Sequence, residues 1–293
     1  MMMKTNTMLR FAAGALALLG VGASGAVLAA EGTPVPPRQS WTFSGPFGHF
    51  DATQLQRGFK VYREVCANCH SVRLLAFRNL AEEGGPHFSE AQVKALAAEY
   101  KVTDGPNDSG EMFQRPARPA DRFPPPFANR QAAEAANGGA YPPDFSVLAK
   151  ARTYERGFPW FVFDMFTQFQ EQGVDYITAL MLGYEEPAHG VEVPAGKYYN
   201  TYFPGHIISM PKPLSDGQVE YPKGPDGKPQ APETVAQYAK DVSAFMMWSA
   251  EPHLEARKQI GFRILSFLLV FAGLLYFTKK KIWSKVEGHA VSH

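Results

Sequence analysis

From Ile260 to Phe277 the chain runs for 18 residues with a single charge, Arg263, and then meets Lys279, Lys280, Lys281, Trp283 and Lys285. At about 1.5 Å per residue a helix of this length covers roughly 27 Å, close to the hydrocarbon thickness of a bilayer, where a helix satisfies its own backbone. Arg263 falls one turn inside the start and can reach back to the headgroups, while Tyr276 and Trp283 suit the opposite interface. The run reads as a membrane anchor over residues 259–278, with a tail at 279–293. A core helix would not end in three consecutive lysines.

The other end carries a second apolar stretch. Lys4 and Arg10 precede Phe11 to Val21, and small residues continue to Ala29 and Ala30. That is the pattern of a secretory leader, residues 1–30, with cleavage after Ala29 or Ala30. The positive-inside rule puts the lysines in the cytoplasm, so residues 31–258 form an exported domain. Both signals agree on a single-pass membrane protein with its domain on the side away from the cytoplasm.

Once the chain is divided, its charge changes meaning. The whole sequence is +1, but residues 31–259 hold 22 basic and 27 acidic side chains, a net charge of −5. A charge-driven nucleic-acid binder is excluded. With 45% hydrophobic and 13% aromatic residues there is material for a real core, and two cysteines exclude a disulfide framework.

Within the exported part, Asp51-Ala52-Thr53-Gln54 predicts a capped helix start, with Leu55, Phe59, Tyr62 and Cys66 recurring at helical spacing. Ser89 with Gln92 opens another helix, carrying Val93, Leu96 and Tyr100. Further helices are expected over 158–170, over 174–182 ending at Gly183, and over 233–248, with Pro252 separating the last from the anchor. Residues 101–130 and 211–232 are rich in Pro and Gly and read as loops, the second with room for a short hairpin. The expectation is a mostly α domain with long ordered loops and no central strand.

Cys66-Ala67-Asn68-Cys69-His70 spends both cysteines in one C-x-x-C-H motif, the attachment sequence of a c-type haem. Two thiols three positions apart lie on one side of a helical turn and can add to the two vinyl groups, and the next imidazole then falls beneath the iron. A redox dithiol needs no histidine, and a thioredoxin-like site wants a strand before it. A zinc site needs two more ligands, whereas His289 and His293 lie beyond the anchor. One covalently bound haem c, with His70 as proximal iron ligand, is expected.

A six-coordinate carrier needs a second axial ligand. Candidates are Met112, Met165, Met181, Met210, Met246 and Met247, or His87, His189 and His206. Met165 and Met181 sit in apolar helical runs where methionine commonly fills core space. Met210 stands apart, because Ile207-Ile208 precede it and Pro211-Lys212-Pro213 follow, giving a stiff apolar loop. Met112 and His206 remain its rivals on spacing alone.

Several segments together resemble the cytochrome c1 family, the haem subunits of cytochrome bc1 complexes, in its bacterial form. They are Arg57-Gly58-Phe59-Lys60-Val61-Tyr62, Asp104-Gly105-Pro106-Asn107 with Gly110-Glu111-Met112-Phe113, and Pro142-Pro143-Asp144-Phe145-Ser146 with Ala151-Arg152. Tyr202-Phe203-Pro204-Gly205 leading to Met210, and Trp248-Ser249-Ala250-Glu251-Pro252, complete the set. The match runs from about residue 40 to 285. The resemblance implies a class I c-type cytochrome-like haem domain, Met210 as distal ligand, Arg152 facing a haem propionate, and Asn137, Pro142 and Pro143 lining the haem crevice. Some bacterial relatives staple the distal loop with an extra cysteine pair, which this chain lacks, so its prolines are the one restraint visible here.

The function this implies is electron transfer without substrate-bond chemistry. An electron arrives from the Rieske iron–sulfur protein and leaves to a soluble cytochrome c. The quinol-oxidising activity belongs to a dimeric multi-subunit complex that also contains cytochrome b. The competing readings are an anchored cytochrome feeding a terminal oxidase, and a haem peroxidase, which would need an open distal position.

Overall fold

The computed structural model describes residues 33–287 apart from 155, 168–170 and 188, so the expected leader lies outside the described residues. The order is α1 (Ala52–Glu64), a 3-10 turn (Cys66–Asn68), a second 3-10 helix (Phe77–Ala81), α2 (Glu90–Ala98), β1 (Lys101–Asp104), β2 (Phe113–Pro116), α3 (Arg130–Ala136) and α4 (Leu148–Ala151). Then come α5 (Trp160–Thr167), α6 (Gln172–Leu182), β3 (Tyr198–Tyr199), β4 (Ile207–Ile208), α7 (Val235–Ala250) and α8 (Leu254–Glu287).

The expected caps are in place. Asp51 Oδ1 accepts from the amides of Thr53 at 2.8 Å and Gln54 at 3.1 Å, and Ser89 exchanges hydrogen bonds with Gln92 in a capping box. Leu55, Phe59 and Tyr62 then point inward from α1 and meet Val242, Phe245 and Trp248 of α7 in one core. Gly58 permits this approach, because a Cβ there would lie 2.1 Å from the carbonyl oxygen of Asp241. Asp241 is fully buried. Its carboxylate accepts from Arg57 Nε at 2.8 Å, Gln54 Nε2 at 3.1 Å, Tyr221 Oη at 2.8 Å and Gln237 Nε2 at 2.8 Å, so the charge is paired and its lone pairs are used.

The loops hold more structure than their composition suggests. Residues 101–130 contain the β1–β2 hairpin, in antiparallel register from Lys101 opposite Pro116 to Asp104 opposite Phe113. Its turn closes through Asn107 N to Glu111 O at 2.9 Å, and Arg115 bridges Asp104 and Asp121. The short helices α3 and α4 carry no clear 3.6-residue pattern and were not expected. In 211–232 the pairing is one isolated bridge, Lys223 with Pro229. The described strands form two separate two-stranded hairpins, so helices dominate.

Glu251, at φ −147° and ψ 69°, ends α7 ahead of Pro252, and α8 then runs unbroken for 34 residues. Leu254 is fully buried in the domain core, Glu255 Oε1 accepts from Phe50 N at 2.7 Å, and Lys258 Nζ donates to Phe43 O at 2.6 Å. The helix therefore starts inside the domain, ahead of the boundary expected at 259. Leu254–Ser284 is long and apolar enough to cross a membrane, and its most apolar window has no buried share.

Candidate functional site

Helix α1 stops one residue short of the cysteines. Val65 leaves the helix at φ −116°, and a single 3-10 turn follows, with Cys69 N 3.1 Å and His70 N 2.9 Å from Cys66 O. This turn is tighter than the α turn the spacing suggested. Both thiols are free and partly buried. Burial, with the neighbouring Cys69, pushes the Cys66 thiol up to about 12, so at neutral pH it is protonated. Among the described residues no three His, Cys, Asp or Glu side chains are grouped so as to hold a metal ion together.

His70 is buried, with Nδ1 2.8 Å from the carbonyl oxygen of Pro143. A carbonyl can only accept, so Nδ1 carries the proton and Nε2 keeps its lone pair. Burial lowers the imidazole pKa against the opposing pull of Pro143 and Asp144, which leaves the ring neutral at pH 7. Phe145 stacks on the ring with centroids 4.2 Å apart, and Tyr62 Oη donates to His70 O at 3.1 Å.

Pro143 is held in turn. Asp144 Oδ2 accepts from Ser71 Oγ at 2.7 Å and Arg73 N at 2.9 Å, its Oδ1 accepts from Ser146 N at 2.9 Å, and Ser146 Oγ accepts from Leu74 N at 3.0 Å. Phe145 N also donates to Ser71 O at 2.8 Å. Burial raises the Asp144 pKa, but the hydrogen bonds outweigh it and hold the carboxyl below the usual range. Two segments 73 residues apart are thereby clipped side by side, and the imidazole tautomer is set by that clip.

The candidate distal ligands separate by environment. Met181, Met246 and Met247 are buried core residues, while Met112 is 60% exposed. His87 and His189 are exposed, and the Met165 side chain lies outside the described residues. Met210 and His206 are both half-buried. Met210 packs against the same core as Cys66 and Ala67, directly after the β3–β4 hairpin.

That loop is restrained by more than its prolines. Tyr184 Oη donates to Met210 O at 3.0 Å, and Lys197 Nζ donates to Ser209 Oγ at 2.7 Å. Asn200 is fully buried. Its Nδ2 donates to Leu180 O at 2.7 Å, its Oδ1 accepts from Tyr202 N at 3.0 Å and Phe203 N at 3.2 Å, and its backbone N donates to His206 O at 2.8 Å. Sequence reasoning passed over Asn200. An Asn placed just before a Tyr-Phe-Pro-Gly turn, where its amide caps the turn, was the available signal.

The remaining expected residues lie around rather than in this geometry. Arg152 ends α4, is exposed, and makes no ion pair among the described residues. Asn137 caps α3 through Nδ2 to Ala133 O at 2.7 Å and makes no hydrogen bond to His70. Pro142 is half-buried next to Pro143.

A mostly helical domain wrapped around a C-x-x-C-H turn, with one long apolar helix at its C-terminal end, is the architecture of a class I c-type cytochrome-like protein. The family model that matches is that of the Cytochrome C1 family, over residues 41–286, and the chain belongs to that family. It is 48% identical to cytochrome c1 of Blastochloris viridis, over 95% of this chain and 97% of that one. Cytochrome c1 1, heme protein, mitochondrial, of Arabidopsis thaliana is 42% identical, with 93% and 83% covered. Cytochrome b/c1 of Bradyrhizobium diazoefficiens is 61% identical over 93% of this chain, which spans 39% of that protein's length.

Proposed function

We propose that this chain carries one covalently attached haem c and passes single electrons as the haem subunit of a quinol–cytochrome c oxidoreductase. The observation that carries the reading is the His70–Pro143 contact, which leaves a buried neutral imidazole with a lone pair at Nε2 directly after two unpaired thiols. The thiols of Cys66 and Cys69, the His70 imidazole and the Met210 thioether would hold the group, and by the family resemblance Arg152 would face a propionate and Asn137, Pro142 and Pro143 would line its crevice. Bound there, haem supplies a one-electron iron couple. The printed name of the Arabidopsis relative, a heme protein, supports the same cofactor.

The protein's own contribution is positional. Pro143 holds the Nδ1 proton, Phe145 fixes the ring plane, and the Asp144 clip ties both to the attachment turn, while Tyr184 and Asn200 set the height of the Met210 loop. A site locked on both sides changes little in shape with oxidation state, which favours electron transfer over ligand binding.

The electron comes from a Rieske iron–sulfur protein and goes to a soluble cytochrome c. The setting is a dimeric multi-subunit complex with cytochrome b, in keeping with the b/c1 name of the Bradyrhizobium relative. Helix α8 anchors the chain in the inner membrane with residues 31–258 on the periplasmic side, after removal of a leader at residues 1–30. The test is a pyridine haemochrome spectrum of purified membranes with mass analysis of what copurifies. Haem that survives acid–acetone extraction, together with copurifying cytochrome b, is the expected result; extractable haem or a lone chain overturns the reading.

A further inference from the structure

Five of the six residues from Phe158 to Phe163 are large hydrophobics open to solvent. Phe158 is 83% exposed, Phe163 57% and Trp160 51%, and Phe161 and Val162 are also exposed. Single exposed apolar side chains need no explanation, but a run that leads into one short helix and continues along it marks a contact surface.

The segment is held by polar contacts on its inner side. Asp164 of α5 is buried, pairs with Arg156, and accepts from Gln172 Nε2 at 2.9 Å. The Arg156 guanidinium lies 5.4 Å over the Trp160 ring. From Gln172 the connection runs to the foot of α8. Glu171 pairs with Arg38, Asp175 accepts from Trp41 Nε1 at 2.7 Å and Gln39 N at 3.1 Å, and Phe43 O accepts from Lys258 Nζ at 2.6 Å. Glu171 is itself within electrostatic reach of Lys258. The apolar run begins two residues after Lys258, at Ile260. Beside it Phe47, 75% exposed, meets Phe262 edge-on with centroids 5.5 Å apart.

We infer that the aromatic face of Phe158–Phe163 is a second membrane contact, lying in the headgroup region of the leaflet that α8 enters and fixing the tilt of the domain over the bilayer. The inference rests on the membrane-anchor reading of α8. Lipid is the occupant because the face is tied to the place where the anchor leaves the domain, and because Trp and Phe beside basic side chains are the residues that suit that interface.

The experiment uses the full-length holoprotein in its assembled form. It is reconstituted into phosphatidylcholine vesicles doped with a phosphatidylcholine that carries a diazirine near the carboxyl end of one acyl chain. After illumination, adducts are mapped by peptide mass. Adducts on residues 157–167 as well as on 264–278 are expected, and the double variant F161S/F163S should lower the first at least about fivefold while leaving the second and the haem spectrum unchanged. Phe158→Ser, outside the helix, should lower them in the same direction. Adducts on 264–278 alone, or labelling of 157–167 that the variants do not change, overturn the proposal, and a protein partner would then be the cover for this face. Absence of adducts on 264–278 overturns the anchor reading and this proposal with it.

Discussion

The Nδ1 atom of His70 lies 2.8 Å from the carbonyl oxygen of Pro143, across a sequence separation of 73 residues. That hydrogen bond decides which ring nitrogen bears the proton, and it persists because Asp144 ties the Pro143 segment back to Ser71 and Arg73.

Asp144→Ala removes three acceptor contacts and should destabilise the domain by about 1–3 kcal/mol, measured by urea unfolding of the holoprotein. The carboxyl is held below its ordinary 3.8, so its contribution is full above that value and fades as pH falls through the depressed range. Asp144→Asn should lower stability at pH 7, where the carboxylate's contribution is full, and flatten the acid limb of the stability profile below about pH 4.

Met210→Leu should keep the covalent haem, lower the midpoint potential and admit carbon monoxide to the reduced form. Asn200→Ala, which makes no hydrogen bond to Met210, should move the same readouts part of the way and cost about 1–3 kcal/mol, because Leu180 O and the Tyr202 and Phe203 amides lose a buried partner. A potential unchanged in Met210→Leu but lowered in Met112→Leu or His206→Ala would transfer the ligand role to that residue.

The junction of domain and anchor gives a paired truncation. A chain stopped after Lys258 keeps Leu254, Glu255 and Lys258 in their contacts and should be exported, soluble and haem-bearing. Stopping after Glu251 removes the buried Leu254 and should cost about 2–5 kcal/mol, visible as a lower melting temperature or loss of haem. Equal stability of the two products would show that the first turn of α8 contributes nothing to the domain.

Electron delivery to a basic cytochrome c should depend on salt, given the −5 charge of residues 31–259. Glu83 and Glu186 are exposed, whereas Glu82 accepts from Asn79 and Glu185 from Thr201. Neutralising the pair that faces the acceptor, Glu82 with Glu83 or Glu185 with Glu186, should slow reduction at low salt. The effect should vanish as the Debye length falls from about 10 Å at 0.1 M to about 3 Å at 1 M. A stopped-flow rate flat in ionic strength for the unmodified protein would remove the electrostatic account.

Gly58→Ala should destabilise the helical core by about 1–3 kcal/mol, because the added carbon would sit 2.1 Å from Asp241 O. Thermal denaturation with far-UV dichroism measures it.

What the sequence determined by itself is local. The C-x-x-C-H motif, the Asp51 and Ser89 caps, the 3.6-residue stripes of α1 and α2 and the apolar run of α8 are each decided by residues within a turn or two, so spacing alone exposes them. The helices α3 and α4 escaped because they are too short to show an apolar stripe, and the β1–β2 hairpin because Pro and Gly mark its stretch and Arg115, Asp104 and Asp121 stabilise it by pairing that composition does not encode. Only the tertiary structure decided that Pro143 fixes the His70 tautomer, that Asn200 and Tyr184 restrain the Met210 loop, that Gly58 lets α1 meet Asp241, and that α8 begins inside the domain. Their contacts join residues from 20 to more than 200 positions apart. The physical reason is that a hydrogen bond or a close approach is set by where the chain returns in space, and period and propensity carry no record of that.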